Sequence, residues 1–201
     1  LSGAYELGVL HSGIHFNWYV ANSAKIGMYE GDAVYVKSRC FDPFPFPAAT
    51  DAQKAEIGEI AEALDAHRKR VLQDHPHLTL TGLYNVLERL RAGVAPDALT
   101  AGERRIFDDG LVLILKEYHD RLDVAVARAY GWPDKPAEDE VLARLVALNR
   151  ERAAEEAGGK VRWLRPDYQA ARFGKAARKE TSEMDLDAAP VAAARPEFPK
   201  N

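Results

Sequence analysis

Apolar residues return at three- and four-residue intervals in five stretches of the chain, the spacing that lines one face of an α-helix. The earliest, residues 4–21, sets Tyr5, Leu7, Val9, Leu10, Ile14, Trp18 and Tyr19 at mixed intervals, as a largely buried helix requires. Thr50 and Gln53 form a capping-box pair before a second, whose stripe is Ile57, Ile60, Ala61, Leu64, Val71 and Leu72, ended by His75-Pro76. The third starts at Thr81 and carries Leu83, Tyr84, Val86, Leu87 and Leu90, with Gly93 as its stop. Thr100 and Glu103 repeat the capping pair and open one unbroken stripe from Ile106 and Phe107 through Leu111, Ile114, Leu115, Tyr118, Leu122 and Val126 to Tyr130. Gly131-Trp132-Pro133 ends it. The last helix covers residues 137–157, with Val141, Leu142, Leu145, Val146 and Leu148 apolar and Gly158-Gly159 beyond. Such stripes must pack on each other or on an upstream part of a longer protein.

A different pattern interrupts the helices early. Gly27 and Gly31 break the periodicity, and residues 33–41 are β-branched and aromatic enough to predict a strand. Alternation there sets Tyr35, Lys37 and Arg39 on one side, with Val34, Val36 and Ser38 on the other. Pro43, Pro45 and Pro47 then alternate with Phe44 and Phe46, which predicts a stiff crossing with two aromatic anchors. Residues 161–165 alternate like a short strand, and after Gln169 alanine, charge and proline predict a disordered tail. The expected fold is mainly α, with a short β segment, divided at 1–47, 48–169 and 170–201.

Composition narrows the class without naming a function. A net charge of −4 over 201 residues excludes a uniformly basic nucleic-acid coat but leaves room for a local basic surface. Cys40 is the sole cysteine, which excludes an internal disulfide and fits a reducing, cytoplasmic setting. No apolar run is long enough to span a bilayer. Leu1 is not an initiator methionine and opens straight into helical pattern, which reads as a segment of something longer.

Candidate chemistry is sparse. There is no phosphate-cradling glycine motif, no His-Glu-x-x-His and no paired-cysteine metal pattern. His11 and His15 stand four apart without a third ligand, so polar positions on a helix account for them better than a metal. Glu59, Glu62 and Asp65 fall opposite the apolar stripe and read as a solvated face. Asp120 beside His119 lacks a nucleophile partner. His67-Arg-Lys-Arg70 either complements a helix C-terminus or meets phosphate. Residues 160–180 hold seven basic and two acidic side chains, either a solubilising tail or a phosphate-tracking one. Tyr35, Lys37, Ser38 and Arg39 also admit two readings: an edge strand guarded by lysine, or basic groups beside an aromatic that reach DNA.

Several of these words occur together in one known family. Leu7-Gly-Val-Leu-His-Ser-Gly-Ile-His-Phe-Asn-Trp18 resembles the stretch that closes the target-recognition domain of class I S-adenosylmethionine-dependent DNA methyltransferases of the MmeI-like restriction–modification type. Lys37-Ser-Arg-Cys-Phe-Asp-Pro-Phe-Pro-Phe-Pro47 looks like that family's exit from the domain. The likeness continues through Ala63-Leu-Asp-Ala-His-Arg-Lys-Arg70, Leu78-Thr-Leu-Thr-Gly-Leu-Tyr-Asn-Val-Leu87, Ala129-Tyr-Gly-Trp-Pro133, Leu145-Val-Ala-Leu-Asn149 and Val161-Arg-Trp-Leu-Arg-Pro166. The resemblance implies an adenine-specific N6 methyltransferase, in some members fused to an endonuclease. The Asn-Pro-Pro-Tyr catalytic motif and the S-adenosylmethionine site would lie upstream, since neither motif occurs here. This segment would then close the recognition domain and brace it, with double-stranded DNA and the upstream methyltransferase domain as partners. Lys37 and Arg39 become candidate DNA contacts, supported by Tyr35 and Ser38; no catalytic, cofactor-binding or metal residue is expected in the chain. The competing expectation is a stand-alone helical module that binds another protein through the stripes of residues 100–130 and 137–157.

Overall fold

Ser12 divides the first predicted helix in two. Its buried hydroxyl donates to the Val9 carbonyl at 2.7 Å and accepts from the His15 amide, which stops α1 (Ala4–His11) and caps α2 (Gly13–Asn22). The computed structural model describes residues 3–25 and 33–157. Among these the protein is mainly helical: after α2 come α3 (Lys37–Cys40), α4 (Asp51–Asp74), α5 (Leu80–Arg91), α6 (Ala101–Asp109), α7 (Val112–Ala129) and α8 (Glu138–Ala157).

The capping signals set helix starts as the sequence predicts. Thr50 and Gln53 bond reciprocally at the head of α4, and Thr100 and Glu103 do so at α6. The α5 start differs slightly, because Thr79 caps it by accepting from the Gly82 amide at 3.0 Å. Gly93 and Gly131 take positive φ beyond α5 and α7, where the Trp132 amide reaches back to the Ala127 carbonyl.

The stripes close on one another within the chain. α4 packs on α1 and α7, α5 on α6 and α7, and α8 on α2. Ile57, Leu64, Leu83, Leu87, Leu115, Leu122 and Leu145 are fully buried, each stabilising the fold by roughly 1.5–3 kcal/mol relative to exposure. Contact between α1 and α4 is close because Gly8 lacks a side chain: a Cβ there would stand 2.7 Å from Cγ2 of Ile57.

Two further expectations need correction. The single helix expected from Thr100 to Tyr130 breaks at Gly110 and Leu111. Gly110 approaches Leu83 too closely for any side chain, and Leu111 takes the left-handed φ of 46°. This turns Leu111 and Ile114 toward solvent instead of the core. The expected strand at 33–41 shrinks to β2 (Ala33–Val34), paired antiparallel with β1 (Ala24–Lys25), with Ala24 opposite Val34. From Lys37 the chain is helical, because the amides of Phe41 and Asp42 both donate to the Lys37 carbonyl at 2.9 Å. Residues 158–201, including the expected strand at 161–165 and the tail, lie outside the described residues.

Beyond α3 the Pro/Phe segment crosses the helices as expected. Phe44 and Phe46 are buried edge to face, their ring centres 5.0 Å apart. Two tyrosines tie its carbonyls: Tyr130 donates to Pro45 at 2.9 Å and Tyr5 to Pro47 at 3.2 Å. Burial pushes the Tyr5 phenol up to about 12 and that of Tyr130 well above its ordinary value, so both remain protonated donors.

Candidate nucleic-acid interface

One turn of helix presents the candidate DNA contacts. Successive helical residues step round the axis, so Lys37, Ser38 and Arg39 are all exposed while Cys40 faces inward and is fully buried. The alternation expected of a strand, with Ser38 on the side opposite Lys37 and Arg39, does not occur. Three consecutive polar residues of one helical turn are exposed instead.

That surface is fastened from behind. The Trp18 indole, itself buried, donates to the Cys40 carbonyl at 3.0 Å, satisfying the end of α3. Tyr35, two residues before α3, is 44% exposed, with its hydroxyl 3.2 Å from Nε2 of His15. The His15 ring is buried edge-on against Phe44, centres 4.7 Å apart. Nδ1 of His15 faces the Leu10 carbonyl at 3.1 Å and must donate to it, which leaves Nε2 as the acceptor for Tyr35. Burial pushes this imidazole down to about 4, so it is neutral at pH 7.

Charge on the surface is uneven. Lys37 reaches Asp42 at 2.5 Å and stands 5.8 Å over the Phe41 ring, which partly neutralises it. The Arg39 guanidinium makes no ion pair among the described residues. Beside Tyr35 runs an aromatic row that sequence reasoning missed: Phe16 lies 6.0 Å from Tyr19, and Tyr19 5.5 Å from Tyr35. Phe16 and Val20 are more than half exposed, a cost that a strictly buried face on α2 would not carry. Their three- and four-residue spacing was the signal, hidden because Trp18 between them is core.

The other sequence candidates scatter. His11 and His15 fall on separate helices, and both ring nitrogens of His15 already bond within the protein. His67-Arg-Lys-Arg70 is not one basic surface. His67 is buried against Tyr118 with neither ring nitrogen in hydrogen-bond geometry, and Arg68 turns inward to donate to the Tyr84 hydroxyl at 3.1 Å. Burial, only partly offset by the nearby Gly110 backbone, lowers the His67 pKa. Lys69 pairs with Asp65 at 2.6 Å and pulls that carboxyl below its ordinary range. Glu59 and Glu62 are exposed, as expected. His119 is buried and bonds Tyr84 at 2.8 Å, while Asp120 turns away to Lys116. The basic run at 160–180 lies outside the described residues.

One part-buried carboxyl organises the site's foundation. Asp123, on α7, accepts from the Gly13 amide at 2.7 Å and so holds the N-terminus of α2. Burial raises its pKa, and the Gly13 hydrogen bond opposes the rise.

Comparison with known proteins gives one clear relationship. No family model and no solved structure matches the chain. DNA methyltransferase A of Bacillus subtilis (strain 168) is 30% identical over 148 residues, which is 73% of this chain and 13% of that protein. The chain therefore spans about an eighth of the relative's length. That sequence match relates this chain to a DNA methyltransferase.

Proposed function

We propose that the chain is the DNA-recognition and supporting segment at the C-terminal end of an adenine-specific N6 DNA methyltransferase of the MmeI-like restriction–modification type. In this reading Lys37 and Arg39 meet the DNA backbone or groove edge, with Ser38 and Tyr35 beside them. The observation that carries it is the placement of three polar groups on one exposed turn, pinned by Trp18 to Cys40 and by His15 to Tyr35. Rigid presentation of that kind suits backbone contacts that position a duplex. Charge complementarity agrees locally although the chain as a whole is acidic.

S-adenosylmethionine and the catalytic motif belong, in this reading, to the upstream part of the parent, where the cofactor supplies the methyl group. This chain contributes no reacting group. Its helices brace the recognition domain, and the exposed Phe16 and Val20 are covered by that upstream part. No helix of the described residues is long and apolar enough to cross a membrane.

Two measurements test the proposal. The coding sequence upstream should contain Asn-Pro-Pro-Tyr or a close variant. The complete protein should bind duplex DNA with an affinity that falls steeply as salt rises. Absence of the motif, together with salt-insensitive or absent binding, sinks it. The stand-alone protein-binding reading is left with a smaller surface, since Leu115, Leu122, Val126, Val141 and Leu145 are buried inside the chain while Leu111 and Ile114 stay exposed.

A further inference from the structure

Two helix ends converge on a cluster unrelated to the surface around α3. His75 caps the end of α4, and the Leu78 amide donates to its carbonyl at 2.9 Å, closing a turn with Pro76 at its second position. That turn carries His75 and His77 together toward Asp109, the last residue of α6. His77 Nε2 lies 3.1 Å and His75 Nδ1 4.0 Å from Oδ2 of Asp109. One ligand atom from each residue lies within 4.8 Å of the other two.

We infer that His75, His77 and Asp109 bind one divalent transition-metal ion, with zinc as the reference case. Two imidazoles and a carboxylate are a donor set that zinc accepts, and bonds of about 2.0–2.2 Å place tetrahedral ligand atoms a little over 3 Å apart. The spacings present need only small side-chain rotations to reach that geometry. All three side chains are about one-third exposed, so a fourth position stays open to water. Both α4 and α6 point their C-terminal ends here, and the partial negative charge of those ends favours a cation. Arg105 lies 3.5 Å from the same Asp109 oxygen, but it is an exposed, flexible side chain whose pairing is weak and readily displaced. The bound ion would tie the α4–α5 turn to the end of α6.

The test uses the full chain after dialysis against a chelator. Zinc is titrated by calorimetry and cobalt by its visible absorption, with thermal unfolding followed in parallel. Expected are one equivalent of metal, a tetrahedral cobalt spectrum and a raised melting temperature. Asp109→Asn and His77→Ala should each weaken binding about tenfold or more while circular dichroism stays unchanged; His11→Ala should bind as the parent does. No saturable binding, or binding that survives both variants, overturns the inference.

Discussion

Tyr35 donates its hydroxyl to Nε2 of His15 across 3.2 Å, and the direction of that bond is fixed because Nδ1 of His15 is committed to the Leu10 carbonyl. A neutral imidazole is therefore built into the support of the α3 surface.

Acid should undo it. His15 and His119 are both pushed by burial from 6.5 down to about 4 in the folded chain. Between those values the unfolded chain binds protons that the folded one does not. Stability from these groups is complete above pH 6.5 and is lost as pH falls toward 4 and below. Urea unfolding should show a loss of roughly 3 kcal/mol per imidazole between pH 7 and pH 4, and His119→Gln should remove about half of the total. A flat profile in the unmodified chain would contradict the assignment.

Replacing Tyr35 by Phe leaves His15 Nε2 without its donor. We expect a loss of about 1 kcal/mol in urea at pH 7, with the helical content unchanged.

Charge at α3 sets the third prediction. In the complete protein, Lys37→Ala combined with Arg39→Ala should weaken duplex binding and reduce the slope of log affinity against log salt by about 2. Asp42→Asn should do the reverse, since it frees Lys37 from its ion pair. Unchanged binding in all of these would leave the two cations as solubilising side chains.

Gly8 reports on the contact between α1 and α4. Gly8→Val places carbon against Ile57 and Ala61, and overpacking of this kind costs about 1–3 kcal/mol, measured by chemical denaturation.

Leu111 should behave in the opposite way. Its left-handed backbone costs an L-residue about 1–2 kcal/mol, and its side chain is 41% exposed. Leu111→Gly should be neutral or stabilising by up to about 1 kcal/mol, whereas the same change at Leu115, fully buried, should unfold much of the population.

Helix starts and stripes were legible because they are local: Thr50 with Gln53, Thr100 with Glu103, and Gly131 all act within one turn of themselves. The breaks at Ser12 and Gly110 were not, since apolar periodicity continues across both and a side chain at Gly110 is excluded by Leu83 and the Ile106 carbonyl together. Lys37, Ser38 and Arg39 stand on a different element from the expected strand. β-branched neighbours favour a strand locally, while the indole of Trp18 and the Lys37 carbonyl impose a turn of helix. His75, with Pro76, passed as a helix stop and His77 went unremarked, because Asp109 joins the two histidines only in space. Tyr19 passed as core because it adjoins the buried Trp18, and Phe16 was not singled out.

Proline-rich connections ordinarily accept an added or deleted residue with little harm. Between Phe41 and Pro47 that tolerance should vanish, for the phenols of Tyr5, on α1, and Tyr130, at the end of α7, grip carbonyls two residues apart. The segment acts as a ruler with two fixed marks, and an inserted residue would force one phenol to release its carbonyl.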